Sequence, residues 1–320
     1  MASSPGAVTP EPATPLFGPA EAEAALWLVR RALEEDLPAG DITSDALFPA
    51  PPGSLEGRTG AVLQVLAKQP GVVCGLPLVS LVFAEVDPRV RVASRKDDGG
   101  RIEPGESFVE VRGAPASVLR GERVALNFLQ RLSAIATRTA RWVAELDGLR
   151  VALLDTRKTT PGWRLLEKYA VRAGGGRNHR ASLSDGYLLK DNHARLLRLE
   201  GRTSIRGWVE ALRRASPETF LEIEVEAREQ FLEARDAGAD ALLLDNFSLE
   251  DLRWAVAMNR SLPGQAPLLE ASGGVRLETL RAVAETGVDR ISAGALTHSG
   301  GMLDMSLEVI GLEGELPEDS

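Results

Sequence analysis

Two hydrophobic patterns alternate along the second half of the chain. Six short apolar runs, most of them ending in polar residues, read RVALLD, GYLLKD, FLEIEVE, DALLLDN, PLLEAS and DRISAG. Segments with apolar residues at helical spacing, such as EAREQFLEARDAG and RLETLRAVAETG, separate most of these runs. Continuous apolar strands that alternate with helices are typical of a parallel sheet covered by helices. Because no GxGxxG follows the first run, an α/β barrel is favoured over a Rossmann fold.

The first half of the chain has a different organisation. From Glu21, EAEAALWLVRRALEEDL has the periodicity of an amphipathic helix. Residues 60–112 contain the strand-like runs AVLQVLAKQP, VRVASRK and SFVEVRG, which Gly and Pro separate. A long amphipathic segment from about Gly121 to Leu146 predicts a helix that links the two halves. The pattern therefore predicts a small α+β domain followed by a βα barrel.

Composition narrows the class of protein. The chain has 320 residues, of which 44% are hydrophobic and 26% are charged, as in ordinary soluble globular proteins. Its single cysteine, Cys74, excludes an intramolecular disulfide and fits a reducing cytoplasm. Cys74 lies in the apolar stretch VVCGLPLV, so we expect a buried hydrophobic side chain rather than a nucleophile. No apolar run is long enough to span a bilayer. The Pro/Ala/Ser/Thr-rich start is no secretory signal and predicts a disordered leader.

Charge is distributed unevenly. The formal net charge is −9, which disfavours a general nucleic-acid binder and repels anions at long range. Between Asp155 and Lys190, however, eight residues are basic and three are acidic. Three of the basic residues repeat at helical spacing and predict a solvated helix face: Arg164, Lys168 and Arg172. Arg157 and Lys158 directly follow a strand, where adjacent side chains point opposite ways, so ligand contact and a solvent-facing role both stay open.

Polar residues collect where the predicted strands end. In a βα barrel, these ends form the active-site mouth. The stretch GGGRNHR adds His179 and Arg180, and a cluster of such donors suits either a dicarboxylate or a phosphate. Glu224 and Asp245 lie near the ends of neighbouring strands and could hold Mg²⁺. Glu222 and Glu226 share a face with Glu224, so spacing does not fix which of the three acids reaches the mouth.

Two turns of small residues follow the last two runs. They read EASGGV and SAGALTHS. Barrels often bind phosphate in the loops after their last two strands, where backbone N–H groups and a helix N-terminus face the ligand. The residues alone therefore indicate a cationic pocket, a metal-binding acid pair and a phosphate cradle in one mouth. This combination suits a phosphorylated, Mg²⁺-chelated substrate that meets a small polyanion.

Long motifs in this chain resemble the quinolinate phosphoribosyltransferase family. They are DTRKTTPGWRLLEKYAVRAGGGRNHRASLSDGYLLKDNH, GERVALNFLQRLSAIAT, EIEVE, LLLDNF, EASGGV, GVDRISAGALTHS and, near the N-terminus, EEDLPAGDITSDAL. The similarity runs from about Ala25 to Val309. It implies an α/β protein with an N-terminal α/β sandwich domain and an incomplete, open α/β barrel of about six or seven strands. The implied segments are a disordered leader, 1–22; the sandwich domain, 23–125, joined by 300–313; the barrel, 126–299; and a flexible acidic tail, 314–320.

The resemblance also implies a reaction and its residues. The family joins quinolinate to phosphoribosyl pyrophosphate and releases nicotinate mononucleotide, pyrophosphate and CO₂, a step of NAD biosynthesis. By resemblance, the quinolinate site comprises Arg157, Lys158, His179, Arg180 and Lys190, together with Arg123 from the partner subunit of a homodimer. The phosphoribosyl pyrophosphate and Mg²⁺ residues are Glu224 and Asp245, and the 5′-phosphate residues are Ser272, Gly273, Gly274 and Gly294. The catalytic residues implied are Lys158, Glu224 and Asp245. A cytoplasmic enzyme without nucleic-acid or membrane partners is expected.

Two alternatives stay open at this point. One is an enzyme on the same scaffold that uses nicotinate, or a molybdenum-associated paralogue; the full set of cations favours a dicarboxylate instead. The other is a non-catalytic sensor of pyridine acids or phosphoribosyl pyrophosphate, which the presence of both Glu224 and Asp245 disfavours. His193 and His298 are assigned no chemistry, and a His/Cys metal site is not expected.

Overall fold

The computed structural model describes residues 16–48, 60–264 and 266–314. The elements of the N-terminal half are α1 (Pro19–Asp36), α2 (Ile42–Leu47), β1 (Ala61–Ala67), β2 (Gly71–Val72), α3 (Leu76–Val86), β3 (Arg91–Ser94), β4 (Arg101–Ile102) and β5 (Ser107–Gly113). Helix α4 (Pro115–Ala144) leads into the second half. The remaining strands are β6 (Ala152–Leu154), β7 (Tyr187–Leu189), β8 (Leu221–Val225), β9 (Ala241–Asp245), β10 (Leu268–Ser272), β11 (Arg290–Ser292) and β12 (Met305–Leu312). The remaining helices are α5 (Arg164–Ala173), α6 (Asp191–Leu199), α7 (Ile205–Ala215), α8 (Arg228–Asp236), α9 (Leu249–Ser261), α10 (Leu277–Ala284) and α11 (Ala295–His298).

The N-terminal half is an antiparallel sheet covered by helices. Its strand order is β12-β1-β5-β3, so the C-terminal strand β12 lies in this sheet beside β1. Helix α3 packs on α4 and on α1. Cys74 is fully buried in this core, and burial raises the pKa of its thiol, as expected for a side chain that acts as a hydrophobe. None of the helices in the described part of the chain has the length and hydrophobicity needed to cross a membrane.

The second half is an open sheet of six parallel strands. The order is β6-β11-β10-β9-β8-β7, and β6 and β7 form its two free edges. All six apolar runs predicted from the sequence are strands, and the incomplete barrel is confirmed. Arg177 lies along the free edge of β6, where its N–H donates to Leu153 O at 2.8 Å and its carbonyl accepts from Asp155 N at 3.1 Å. The segment after α5 is therefore fixed beside the open seam between β6 and β7.

The glycines of GGGRNHR have a packing role. A Cβ at Gly174 would lie 2.4 Å from Ala136 O, and a Cβ at Gly176 would lie 2.8 Å from Thr139 Cγ2. Only glycine permits this close approach of the loop to α4. The loop consequently holds the residues after it, His179 and Arg180, at a fixed height in the barrel.

Two predicted boundaries were wrong. The leader was predicted to extend to residue 22, but α1 begins at Pro19, since proline suits the first turn and Glu21 accepts the Gly18 N–H at 3.0 Å. Phe17 also packs edge-on against Tyr169, with ring centroids 5.2 Å apart. The linking helix begins at Pro115 rather than near Gly121, because proline also suits the first turn of this helix. Residues 1–15, and the predicted acidic tail apart from Gly314, lie outside the described residues.

Candidate active site

The carboxyl ends of the neighbouring strands β6 and β11 bring the loops that follow them together. The loop after β6 packs on the turn after β11: Thr297 Oγ1 donates to Lys158 O at 2.7 Å. A Cβ at Gly294 would lie 2.9 Å from Lys158 Cδ and 3.1 Å from His298 Cδ2. The predicted catalytic lysine and the predicted phosphate-binding glycine are therefore neighbours, and Lys158 is exposed to solvent.

Two guanidinium groups occupy the adjoining part of the mouth. The Nε atoms of Arg157 and Arg180 are buried and have no hydrogen-bond partner among the described residues. Burial, and then the charge of Arg157, lower the pKa of Arg180. Arg180 is held by a bond from Nη1 to Gly186 O at 2.9 Å. Neither arginine forms an ion pair with a carboxylate in the described part of the chain, and like charges placed in this way form a site for an anionic ligand.

The acid side of the mouth lies on β8 and β9. Lys190 Nζ is 3.3 Å from Glu224 Oε2, and Asp191 N lies 3.4 Å from the other oxygen of this carboxylate. Glu224 pairs with Leu243 across the two strands, and Asp245 follows two residues later, so both carboxylates are on one face. Asn246 Nδ2 donates to Asp245 Oδ2 at 2.7 Å. Two carboxylates in an open mouth fit Mg²⁺, which takes one or two protein oxygens and completes its shell with water and phosphate oxygens.

The EASGGV turn has the backbone form of an anion cradle. Gly273 and Gly274 have φ values of +89° and +57° in succession. A Cβ at Gly273 would lie 2.3 Å from Asn246 Oδ1 and 2.8 Å from Asn246 N, so the turn touches the loop after β9. Asn246, itself left-handed at φ 56°, donates its N–H to Ser272 O at 2.9 Å. The turn leads into α10, whose first N–H groups have no partner within the helix and suit a phosphate.

Below the mouth, His179 meets two buried carboxylates. Its Nε2 is 3.0 Å from Glu222 Oε2 and 3.5 Å from Glu270 Oε1, and its Nδ1 accepts the Arg180 N–H at 2.7 Å. Glu222 and Glu270 are 1% and 0% exposed. Glu222 Oε1 and both oxygens of Glu270 lack a hydrogen bond of ordinary geometry among the described residues, although the Ser292 hydroxyl is near enough to lower the pKa of Glu270. We call the His179 ring, Glu222 and Glu270 the open cluster.

The ionisation of the open cluster is shifted. Burial, and then the charge of Glu222, raise the pKa of Glu270 to about 7. For His179, burial works to lower the pKa, but the bond to Glu222 and the charges of Glu270 and Glu222 outweigh it and raise the pKa. These three residues have the spacing of a metal site. However, Nδ1 is a hydrogen-bond acceptor, so the proton of the neutral ring is on Nε2, where a metal would have to bind.

Beside the open cluster is a second buried group, in which every polar side chain is paired. Lys168 Nζ is 2.5 Å from Asp155 Oδ1 and donates to His179 O at 2.9 Å. Asn178 Nδ2 donates to Asp155 Oδ2 at 2.6 Å and to Lys168 O at 2.9 Å. The His179 N–H donates to Asp155 Oδ1 at 2.8 Å. We call Asp155, Lys168 and Asn178 the closed cluster.

The closed cluster corrects the prediction of a solvated helix face on α5. Lys168 is only 2% exposed, because α5 turns it toward Asp155 at the end of β6. Arg164 donates to Thr159 Oγ1 and Ala181 O, and Arg172 donates to Glu21, Leu16 O and Asn178. The helix itself is confirmed, but helical spacing does not tell which side of a helix faces a neighbouring strand end. An isolated Asp at the end of a buried strand was the available signal for a buried partner.

Arg123 is separate from these groups. It lies on α4 and is exposed, and its nearest carboxylate is that of Glu122, at 3.9 Å. No hydrogen bond or ion pair in the described part of the chain joins it to the mouth of its own barrel. Its assignment to the site of a partner subunit stays a prediction.

Comparisons with known proteins agree with this geometry. The sequence models of the quinolinate phosphoribosyl transferase N-terminal and C-terminal domains match residues 41–133 and 135–308. The chain is 40% identical over 275 residues to a Bacillus subtilis protein named probable nicotinate-nucleotide pyrophosphorylase (carboxylating), with 86% of this chain and 90% of that protein covered. It is 40% identical over 292 residues to the nicotinate-nucleotide pyrophosphorylase (carboxylating) of Mycobacterium leprae, covering 90% and 98%. The structure of the nicotinate-nucleotide pyrophosphorylase from Francisella tularensis superposes with a TM-score of 0.80 at 34% identity, covering 90% and 96%.

Proposed function

The chain belongs to the quinolinate phosphoribosyltransferase family, and from this premise we propose that it transfers the phosphoribosyl group of phosphoribosyl pyrophosphate to quinolinate. The products are nicotinate mononucleotide, pyrophosphate and CO₂, a step of NAD biosynthesis. One observation carries the proposal: two arginines whose buried Nε atoms lack a partner among the described residues, a carboxylate pair and a glycine cradle all lie at the carboxyl ends of the strands of one barrel.

Quinolinate is a pyridine with two adjacent carboxylates, and the cationic side of the mouth matches it. Arg157 and Arg180 bind one carboxylate through the guanidinium N–H groups that have no partner among the described residues, and Lys158 and Lys190 neutralise the other. Arg123 of the partner subunit completes the site in a homodimer. His179 lies directly beneath this pocket. The Lys190 side chain is 47% exposed and its contact with Glu224 is long at 3.3 Å, so Lys190 exchanges this carboxylate easily for that of a substrate.

The other side of the mouth holds the phosphoribosyl donor. The 5′-phosphate lies on the backbone of the cradle, which comprises Ser272, Gly273, Gly274 and Gly294. Glu224 and Asp245 are the residues that would hold Mg²⁺ together with the donor, directly or through water. Bound Mg²⁺ supplies neutralisation of the charge that develops on the leaving pyrophosphate.

The residues then act mainly by placing two polyanions that repel each other in water. The pyridine nitrogen forms a bond to C1 of the ribose as the bond to pyrophosphate breaks. The ring nitrogen becomes positively charged, so the electron pair left by CO₂ on the adjacent carbon is stabilised, and that carbon takes up a proton from water. Lys158, beside Gly294, places a cation where negative charge develops. No covalent intermediate is needed.

We place the enzyme in the cytoplasm, as the single buried thiol of Cys74 suits a reducing compartment.

A direct assay tests the proposal. Purified protein is incubated with phosphoribosyl pyrophosphate, Mg²⁺ and either quinolinate or nicotinate, and nicotinate mononucleotide and CO₂ are measured together. We expect product and CO₂ from quinolinate only, at least 100-fold less activity in Arg157→Ala, which loses a charged donor, and unchanged activity in the control Arg253→Ala on the exposed side of α9. Product from nicotinate, or ligand binding without turnover, would support a paralogue or a sensor instead.

Subunit complementation tests the proposed dimer. Each proposed site combines Lys158 of one subunit with Arg123 of the other. Homodimers of Arg123→Ala lack the arginine in both sites, and homodimers of Lys158→Ala lack the lysine in both. Mixed dimers contain one site with both native residues, so mixing the two variants should restore activity, up to about a quarter of wild type if subunits assort at random. Absence of recovery despite demonstrated subunit exchange contradicts the sharing of Arg123 between subunits.

A further inference from the structure

Both ring nitrogens of His179 already have partners within the chain. Nδ1 accepts the backbone N–H of Arg180 at 2.7 Å, and Nε2 faces Glu222 at 3.0 Å and Glu270 at 3.5 Å. A nitrogen that accepts a hydrogen bond carries no proton, so the neutral ring is the Nε2–H tautomer. Its proton points to Glu222, below the mouth. Neither nitrogen is therefore free to donate to a substrate carboxylate in this arrangement.

The backbone of His179 is fixed as well. Its N–H donates to Asp155 Oδ1 at 2.8 Å, and its carbonyl accepts from Lys168 Nζ at 2.9 Å. The side chain of His179 is 13% exposed. The residue is thus attached at four points, and the next residue in the chain is Arg180.

We propose that His179 is a positioning residue that aims Arg180, and that Glu222 and Glu270 hold its ring in place. The ring connects Glu222 in the barrel interior, through Nε2, with the backbone N–H of Arg180, through Nδ1. Among the described residues, the buried Nε of Arg180 has no partner and its guanidinium has one hydrogen bond, to Gly186 O, so the direction of the side chain depends on its backbone. This inference rests on the proposed function, since its main readout is quinolinate binding.

The two carboxylates have different parts in this arrangement. Glu222 Oε2 is at ordinary hydrogen-bond distance from Nε2, whereas Glu270 Oε1 is at the limit of contact. Glu222 on β8 is therefore the acceptor that fixes the ring. Glu270 on β10 faces the same nitrogen at the longer distance and limits the space into which the ring could turn.

Direct quinolinate binding, measured by calorimetry without the phosphoribosyl donor, tests the proposal. Glu222→Gln keeps an acceptor oxygen and should stay within about threefold of the wild-type Kd, whereas Glu222→Leu, which removes it, should weaken binding about tenfold. His179→Ala should weaken binding to a similar extent. If Glu222 acts through His179, the double variant Glu222→Leu/His179→Ala should bind no more weakly than His179→Ala. Binding of phosphoribosyl pyrophosphate with Mg²⁺ should be unchanged in all four.

Three results would overturn the proposal. Wild-type affinity in Glu222→Leu together with loss of binding in His179→Ala would make His179 a direct ligand. Additive effects in the double variant would show that Glu222 acts by another route. Equal losses in Glu222→Gln and Glu222→Leu, both folded by circular dichroism, would make the charge of Glu222 the important property rather than its acceptor.

The ring tautomer gives a readout that does not depend on the substrate. In ¹⁵N-labelled protein, the His179 signals are those missing from His179→Ala, and we expect a neutral ring with its proton on Nε2 above the pKa of the ring. A proton on Nδ1 would overturn the positioning role even if quinolinate binds. If wild-type protein does not bind quinolinate but shows the expected tautomer, then the proposed function fails while the arrangement of the ring stands.

Discussion

The closed cluster and the open cluster lie side by side in the barrel, and His179 contributes to both. Its backbone bonds to the closed cluster, and its ring belongs to the open one. In the closed cluster, one cation, one carboxylate and one amide satisfy each other with short bonds. In the open cluster, two buried carboxylates face one ring nitrogen, and three of their oxygens lack hydrogen bonds of ordinary geometry among the described residues. The barrel thus holds two adjoining buried groups, one in which charges and hydrogen bonds are balanced and one in which they are not.

The difference shows how the barrel separates structure from function. A balanced buried group fixes the backbone and has little to offer a ligand. An unbalanced group costs free energy, and such groups are found where a protein orients or tunes a site. The open cluster lies under the cationic pocket, and its negative charge also moderates the repulsion between the arginines above it. The following predictions test this contrast by altering one cluster at a time.

The largest expected effect comes from opening the closed cluster with Lys168→Met. Burial raises the pKa of Asp155 and lowers that of Lys168, so desolvation works against both charges of this pair. Such a pair adds little net stability, but removing one partner leaves an uncompensated buried charge. We expect the free energy of unfolding, measured by urea denaturation, to fall by about 3–5 kcal/mol.

Two further variants serve as controls for Lys168→Met. Lys68 forms an exposed ion pair with Glu308 at 2.7 Å, so Lys68→Met should cost no more than about 1 kcal/mol. Adding Asp155→Asn to Lys168→Met removes the uncompensated charge and should recover part of the loss. If the double variant is less stable than Lys168→Met, then burial of an unpaired charge is not the cause.

The second effect concerns the pH dependence that the open cluster gives to stability. The pKa of Glu270 is raised to about 7 in the folded protein, so the folded state holds its proton more tightly than the unfolded chain. Its stabilising contribution is fully present below the unfolded pKa and is lost as pH rises through about 7. From pH 5 to pH 8, the unfolding free energy should therefore fall by about 2–3 kcal/mol more in wild type than in Glu270→Gln. Parallel pH profiles of the two proteins would contradict an ionising Glu270.

Much of the fold could be predicted because it depends on local patterns. Buried parallel strands are continuous apolar runs, and all six were identified. The open seam between β6 and β7 depends on contacts between distant segments, such as Arg177 with Leu153, which no local pattern shows. The early start of α1 had a local signal, Pro19 with Glu21, that compositional bias in the leader concealed.

The site was predicted by residue type more readily than by arrangement. Contacts connect Lys158 with Gly294 and Lys190 with Glu224, as a shared mouth requires. Helical spacing alone does not predict the burial of Lys168, since the spacing is the same for a solvated face and for one that faces a strand end; only Asp155 at the end of β6 indicated a buried partner. The direction of the His179 ring likewise depends on two strands distant in sequence.

The smallest expected effect, that of Asn178→Ala, separates charge from hydrogen bonding in the closed cluster. The substitution removes bonds from Asn178 to Asp155 Oδ2 and Lys168 O and frees Arg172 Nη1, but Asp155 keeps its counter-ion. We expect the unfolding free energy to fall by about 1–2 kcal/mol, less than in Lys168→Met, because no charge loses its ionic partner. Quinolinate affinity should change little if the Lys168 and Asp155 bonds to the His179 backbone persist. A loss as large as that of Lys168→Met in urea denaturation would mean that complete hydrogen bonding, rather than charge balance, distinguishes the closed cluster from the open one.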